Sequence, residues 1–450
     1  MVKNGKFIAR LQRELPVWVE RDWVRSEHQQ DILAYAATQS EGDSRYLTLA
    51  LGVMGAVLLG AGVIAFFAAN WSAMAKLAKL AVLFGGMWAA YGAAGVLTAR
   101  GSRAIGQALL LLAVILFGAN IFLVAQIYHI DSHYPNGILM WSLGALLVAW
   151  LMDSQPVAVA GLLLAVLWTS MENTGFGRQV HWPFLLLWAA FLPLVLRHGW
   201  RAASHVALLA LLVWSMNTLV AVVSRGSPLF FPAVELFLLA YFALFLIGKL
   251  MVLQPDLEKF ASVVQRYAAF AVLACFFVLT FPSMHRESYG GFPEAGEAAL
   301  WMAGDAIALV VVALLAWWHH RRAPQEDRPP HFAVGQILLA AVALLLAVNL
   351  TAPANWGNAL ALSFNLAFFA TVVWLVYSGL HTASRSLVNQ GFVFFALGVL
   401  ARYFDTFWSL FDRSFFFMGG GMLLLVGGYL LERQRRRINR EIMMRREGGI

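Results

Sequence analysis

Apolar residues run through this chain in blocks rather than in the stripes of amphipathic helices or the alternation of half-buried strands. From Tyr46 onward the blocks are long, and short polar breaks separate them. About 20 apolar residues in helical conformation cross a hydrocarbon core about 30 Å thick. On that scale the pattern predicts spans at 46–69, 76–99, 104–128, 136–152, 156–171, 180–197, 203–223 and 228–250. It continues with 263–282, 298–318, 331–350, 356–380, 386–404 and 414–431. The fourth and fifth blocks, around Asp153 and Pro156, are short, and as one re-entrant hairpin they reduce the count to 12. The expected fold is an all-α polytopic transmembrane helical bundle of about 14 spans.

Residues 1–45 read differently. The stretch "LPVWVERDWVRSEHQQDILAYAATQ" predicts two short helices, a cytosolic helical hairpin ahead of the first span. Ser26 is placed to N-cap the second helix, with Gln29 completing a capping box. Leu15, Val19 and Trp23 share one face of the first helix, and Ile32, Tyr35 and Gln39 recur on the second. Helices this short need a surface: each other, the membrane, or a protein partner docked on residues 1–45. The first apolar block follows a long charged segment, unlike the short basic lead of a cleavable signal peptide.

Charge supplies orientation. Alternate loops hold Arg100 with Arg103, Arg197 with Arg201, Lys249 with Lys259 and Arg266, Arg321 with Arg322 and Arg328, then Arg385. Together with the N-terminal segment and the tail "ERQRRRINREIMMRRE", these regions hold most of the chain's 32 Lys and Arg. Cytoplasmic loops favour Lys and Arg, so both termini are expected inside. Each basic residue near an anionic lipid surface contributes about 1 kcal/mol, which makes anionic lipid the expected partner of the tail.

Composition agrees: 61% of the 450 residues are hydrophobic and 12% charged, against about a quarter charged in soluble domains. Cys275 is the lone cysteine, which excludes an internal disulfide and argues against a thiolate metal site. Zinc-ribbon, Rossmann and P-loop signatures are absent, so neither a cofactor nor a nucleic-acid partner is expected.

The run "YLTLALGVMGAVLLGAGVIAFFAANWSAMAKLAKLAVL", with the preceding Trp18-Val19 and the Gln29–Tyr35 pattern, resembles a bacterial membrane-protein family, domain of unknown function 2157. "RYFDTFW…DRSFFFMGGGMLLLVGGYLLERQRRR" near the C-terminus has the same look. The resemblance implies a bacterial inner (plasma) membrane location and brings no activity with it.

An internal echo suggests further organisation. "FFAANWSAMAKLAKLAVLFGGMWAAYGAAG" parallels "LTAPANWGNALALSFNLAFFATVVWLVYSG", pairing Trp71 with Trp356 and Asn70 with Asn355. "SRAIGQALLLL" then parallels "SRSLVNQGFVFF", setting Arg103 beside Arg385. The expected layout is a four-span unit at 46–152, central spans at 153–330 and a C-terminal four-span unit at 331–431 that repeats the first in parallel. A basic cytosolic tail, 432–450, follows. Gly52, Gly55, Gly60 and Gly62, like Gly419, Gly420, Gly421, Gly427 and Gly428, suit close helix approach.

Ionisable residues within spans are costly and suggest a partner or a wet cavity. Glu235 and Asp305 each lie about seven residues, roughly 10 Å, past an outer boundary. Arg402 approaches the same face, with Asp405 three residues on. Two readings stand side by side: an outward cavity in which Arg402 binds an anion and a carboxylate carries a proton or cation, or charges that lock helices together, Arg402 with Asp405 or Glu235. Gln107, Asn120, Gln126, Asn217, Asn349 and Asn365 are candidates to line such a cavity. His129, Asp131 and His133 alternate in "YHIDSHYPNG" and carry metal-ligand chemistry, although a plain polar loop explains them as well. Glu172, His181, His285 and Arg286 read as ordinary outer-loop residues, Asp412 and Arg413 as loop charges. No triad or paired-carboxylate spacing identifies catalytic residues, which weighs against an enzyme. The leading function is transport or flipping of a small or amphiphilic solute. The alternatives are a scaffold or sensor organising an envelope complex, and an integral-membrane enzyme acting on lipid-linked substrates.

Overall fold

A computed structural model describes residues 2–21, 23–33, 50–62, 65–66, 75–130, 133–176, 180–224, 230–254, 257–282, 295–322, 330–351, 356–407, 418–430 and 432–434. Among these, every regular element is helical. We number the α-helices α1 (Val2–Glu20), α2 (Ala50–Gly62), α3 (Lys76–Ala99), α4 (Arg103–Tyr128), α5 (Pro135–Met152), α6 (Gln155–Thr174), α7 (Pro183–His198) and α8 (Arg201–Ser224). There follow α9 (Phe230–Met251), α10 (Glu258–Leu279), α11 (Ala295–Arg322), α12 (Pro330–Thr351), α13 (Gly357–His381), α14 (Arg385–Phe407) and α15 (418–430). Each predicted span coincides with one of α2 to α15. Among the described residues ten helices are long and apolar enough to cross a membrane.

The short fourth and fifth blocks are both full helices. At 18 and 20 residues, α5 and α6 are about 27 and 30 Å long. They are joined at Asp153 and Ser154, where Asp153 takes a left-handed conformation and the Ser154 N–H bonds back to Ala149. Two crossing helices, not a re-entrant hairpin, fit this geometry.

The N-terminal segment departs from expectation. The first helix, α1, begins earlier than expected, at Val2, and runs through Pro16 to Glu20, and a second helical stretch follows at 26–33. Among its described side chains Leu11 and Leu15 are buried, while Trp23 lies beyond the helix end and is exposed. Ser26 does not cap: it is the first residue of a 3-10 turn, Arg25 holds the cap position, and no side-chain cap bond forms. The helical turn has started one residue early, which draws Ser26 into it and removes its role as cap.

Two compact units divide the chain, Met1–Glu172 with Trp182–Ala210, and Asn173–His181 with Leu211–Ile450. In the first, α2 meets α4 through a small-residue stripe. A Cβ on Gly52 would stand 3.1 Å from the Ala108 Cβ, Ala56 is buried, and a Cβ on Gly60 would stand 2.7 Å from Ile115 Cγ2. Gly55 and Gly62 face open space instead. Lipid tails are as apolar as Leu, so helices associate through such close packing and through interhelical hydrogen bonds. Indole N–H groups make several of these: Trp141 to the Val114 carbonyl at 2.7 Å, Trp150 to Ala190 at 3.2 Å and Trp188 to Ala207 at 2.7 Å. The Ser142 hydroxyl donates to Gly161 at 2.8 Å.

In the second unit α9 packs on α10 and α11, and α13 packs on α14. Phe276 of α10 and Phe364 and Phe368 of α13 are fully buried and meet with ring centroids 6.0 to 6.3 Å apart. Phe369 of α13 adds an edge contact to Phe395 of α14 at 5.7 Å.

The turns that join α3 to α4 and α13 to α14 have the same geometry. Gly101 and Ala383 are left-handed, with φ of 87° and 50°. Ser102 and Ser384 donate to Leu97 and Gly379, five residues back. This is the Schellman ending, which satisfies the last carbonyls of a helix and turns the chain at once. The same ending closes α7 at Gly199, so the geometry alone is no signature of a repeat. Asn70, Trp71 and Asn355 lie outside the described residues.

Candidate membrane-embedded site

In the second unit α9 is apolar around most of its circumference, with Pro232 placed in the first turn, where its missing N–H breaks no helical bond. Ala233, Val234, Leu238, Leu239, Phe242 and Leu246 are buried along it, and so is Glu235, 1% exposed. By contrast, α11 is buried along one stripe only. Asp305, Val312 and Ala316 turn inward, whereas Ile307, Val310, Leu314 and Trp317 are more than half exposed. Asp305 is itself 1% exposed, and neither carboxyl oxygen finds a hydrogen-bond partner among the described residues. Glu235 is within electrostatic reach of it, on a helix packed directly against α11. The structure thus brings together two carboxyls 70 positions apart in the sequence and buries both.

Arg402 stands in a different setting. Its Nη2 lies 2.9 Å from the Asp405 carboxylate, an ion pair one helical turn along α14, without the alignment of a hydrogen bond. Its Nη1 donates to the Thr280 carbonyl at 3.3 Å, and its guanidinium lies over the Phe281 ring at 4.8 Å. Thr280 is the C-cap of α10, so the cation meets the negative end of a helix dipole. Asn365 donates to the same carbonyl at 2.8 Å. Of the two pairings expected for Arg402, the one with Asp405 forms, and the cluster ties α10, α13 and α14 together.

The remaining candidates divide between the units. Asn120, in the first, is buried and donates from Nδ2 towards the Leu83 carbonyl and Met87 Sδ, both at 3.4 Å, which fastens α4 to α3. Gln126 faces outward near the end of α4. Gln107 is half-buried, as are Asn217 and Asn365 in the second unit, and the Asn349 side chain lies outside the described residues. His129 is the left-handed C-cap of α4. His133 turns away to Glu172, its Nε2 2.7 Å from Oε1, and Asp131 lies outside the described residues. No group of three metal-binding side chains occurs among the described residues.

Glu172 and His181 are not ordinary loop residues, as the sequence suggested. Glu172 is 3% exposed and holds His133. His181 is 2% exposed, and its carbonyl accepts the Trp214 indole at 3.0 Å. A signal for Glu172 was present: Ala165, Trp168, Thr169 and Glu172 follow i, i+3, i+4, i+7, so the buried face of α6 runs one turn past its apolar block. His198 was likewise missed; its Nε2 is 2.8 Å from Asp153, and its ring stacks on Trp200.

Residues 16–158 match the profile of a family described as predicted membrane protein (DUF2157). The resemblance read from the N-terminal residues is therefore shown for that part of the chain, and the match ends before the C-terminal "RYFDTFW" stretch. With its apolar helices, the chain is a multi-pass membrane protein. No curated protein and no solved structure matches it.

Proposed function

We propose that this protein moves a small or amphiphilic solute across a bacterial inner membrane, with Glu235 and Asp305 as the ionisable centre of the path. One observation carries the reading: two carboxyls are buried together inside a membrane-spanning helical unit. Ionisable groups there are expensive and mark ion or substrate pathways. Arg402, engaged by Asp405 and Thr280, fits the role of a helix clamp. We place both termini in the cytoplasm on the distribution of Lys and Arg, with the basic tail on anionic lipid.

The test is flux into liposomes holding the purified full chain, with organic anions and a fluorescent phospholipid as probes. Transport of at least one probe above that of liposomes carrying an unrelated membrane protein is expected. Glu235→Gln and Asp305→Asn lose it while remaining monodisperse in detergent. If no probe moves, or both variants transport like the wild type, the reading fails.

A further inference from the structure

The register between α9 and α11 holds more than a buried pair. Glu235 acts electrostatically on Asp305, and Lys249 on His319. Both steps along the chain are fourteen residues, so the two helices run parallel, and each step is four turns or about 21 Å. On α9 the face 235, 238, 242, 245, 249 follows the three-and-four spacing of a helix packed lengthwise on a neighbour. On α11, 305, 312, 316 and 319 do the same.

The interface is therefore polar at its two ends and apolar between. Leu238, Phe242, Phe245, Val312 and Ala316 fill the middle, and all are buried. They offer no hydrogen-bonding group along which a proton or water could pass from the Lys249 end. The acidic level lies close to the other end: Glu235 is five residues from Phe230, where α9 begins, about 8 Å of rise. Asp305 is ten residues from Ala295, where α11 begins, about 15 Å of rise, against seventeen residues, about 26 Å, to Arg322 at its far end.

A buried carboxylate with no partner is costly, and the cost is relieved by binding a cation, of which the proton is the smallest. Asp305 meets that condition, since both of its oxygens lack partners among the described residues. Glu235 faces it from α9, whose other titratable groups are Tyr241, in contact with Ser215 at 2.5 Å, and Lys249, four turns from Glu235. Helix α10, packed on α9, carries Glu258, Lys259, Arg266, Tyr267 and Cys275; α12, packed on α11, carries His331 in its first turn.

We propose that Glu235 and Asp305 form a proton-binding site that opens only towards the end of the unit at which α9 and α11 begin. The inference deepens the transport reading and rests on it only for what the proton is used for. Proton binding at one accessible end gives a transport step its coupling ion, and the apolar interface prevents leak through the resting protein.

The test uses the full-length protein in sealed liposomes and dicyclohexylcarbodiimide, which reacts with protonated carboxyls in apolar surroundings. Vesicles are sorted by orientation, read from an impermeant thiol label on Arg322→Cys at the far end of α11. Peptide mass spectrometry is expected to place the modification on Asp305 or Glu235. Raising pH from 5 to 9 on the side where α9 and α11 begin lowers labelling at least about fivefold, and raising it on the opposite side leaves labelling unchanged. Labelling that ignores pH on both sides, or misses both residues, overturns the site. An equal response from both sides overturns the one-sided access. Wild-type carboxyls are read throughout, so failure of Asp305→Asn to fold does not affect the result. Sided labelling without solute flux would retain the proton site and reject transport; flux without sided labelling would do the reverse.

Discussion

Gly55 and Gly60 lie in the same helix and differ in what a methyl group would meet. At Gly60 an added Cβ stands 2.7 Å from Ile115 Cγ2, about 1 Å inside an ordinary carbon–carbon contact. Overpacking of that kind costs about 1–3 kcal/mol. Replacing Gly by Ala in a helix interior returns about 1 kcal/mol. Gly60→Ala is therefore expected to destabilise by about 0–2 kcal/mol after that offset. Nothing lies within 4 Å of a Cβ at Gly55, so Gly55→Ala is expected to stabilise by up to about 1 kcal/mol. The assay is reversible unfolding of the full chain in mixed micelles with rising dodecyl sulfate, followed by circular dichroism. A double-mutant cycle with Ile115→Ala isolates the contact, because the Gly60→Ala cost should vanish once Cγ2 is gone. Equal shifts at the two glycines, or a Gly60→Ala cost that survives Ile115→Ala, would refute the packing of α2 on α4.

Two further outcomes are expected in the same unfolding assay. Ala383 holds φ of 50° at the turn between α13 and α14, so Ala383→Gly stabilises by about 1 kcal/mol, and Gly101→Ala, at the equivalent turn, costs about as much. Asn365→Leu removes the 2.8 Å bond to the Thr280 carbonyl, for about 0.6 kcal/mol and at most about 1.7. Adding Arg402→Gln costs more than the sum of the two single changes, since the carbonyl then loses both donors.

The places of the spans were legible in the sequence, because whether a segment crosses a bilayer depends on its own length and apolarity. The apolar blocks from 46–69 to 414–431 each meet a helix, and even the short ones flanking Asp153 proved to be separate helices. Burial of Glu172 was legible in principle too, as a continuation of a helical period. Ser26 shows the limit of local rules: a capping box was present in the letters, but the turn began one residue earlier.

Which polar groups meet was decided by tertiary structure. Helices such as α9 are apolar all round, so no amphipathic stripe marks which side packs and which side faces lipid. The sequence thus identified Glu235 and Asp305 as costly without saying that they share an interface, and Arg402 without the Thr280 carbonyl. Only packing α9 in parallel with α11 brought residues 70 positions apart within electrostatic reach, and only the end of α10 against α13 and α14 brought residues 85 and 122 positions apart into contact.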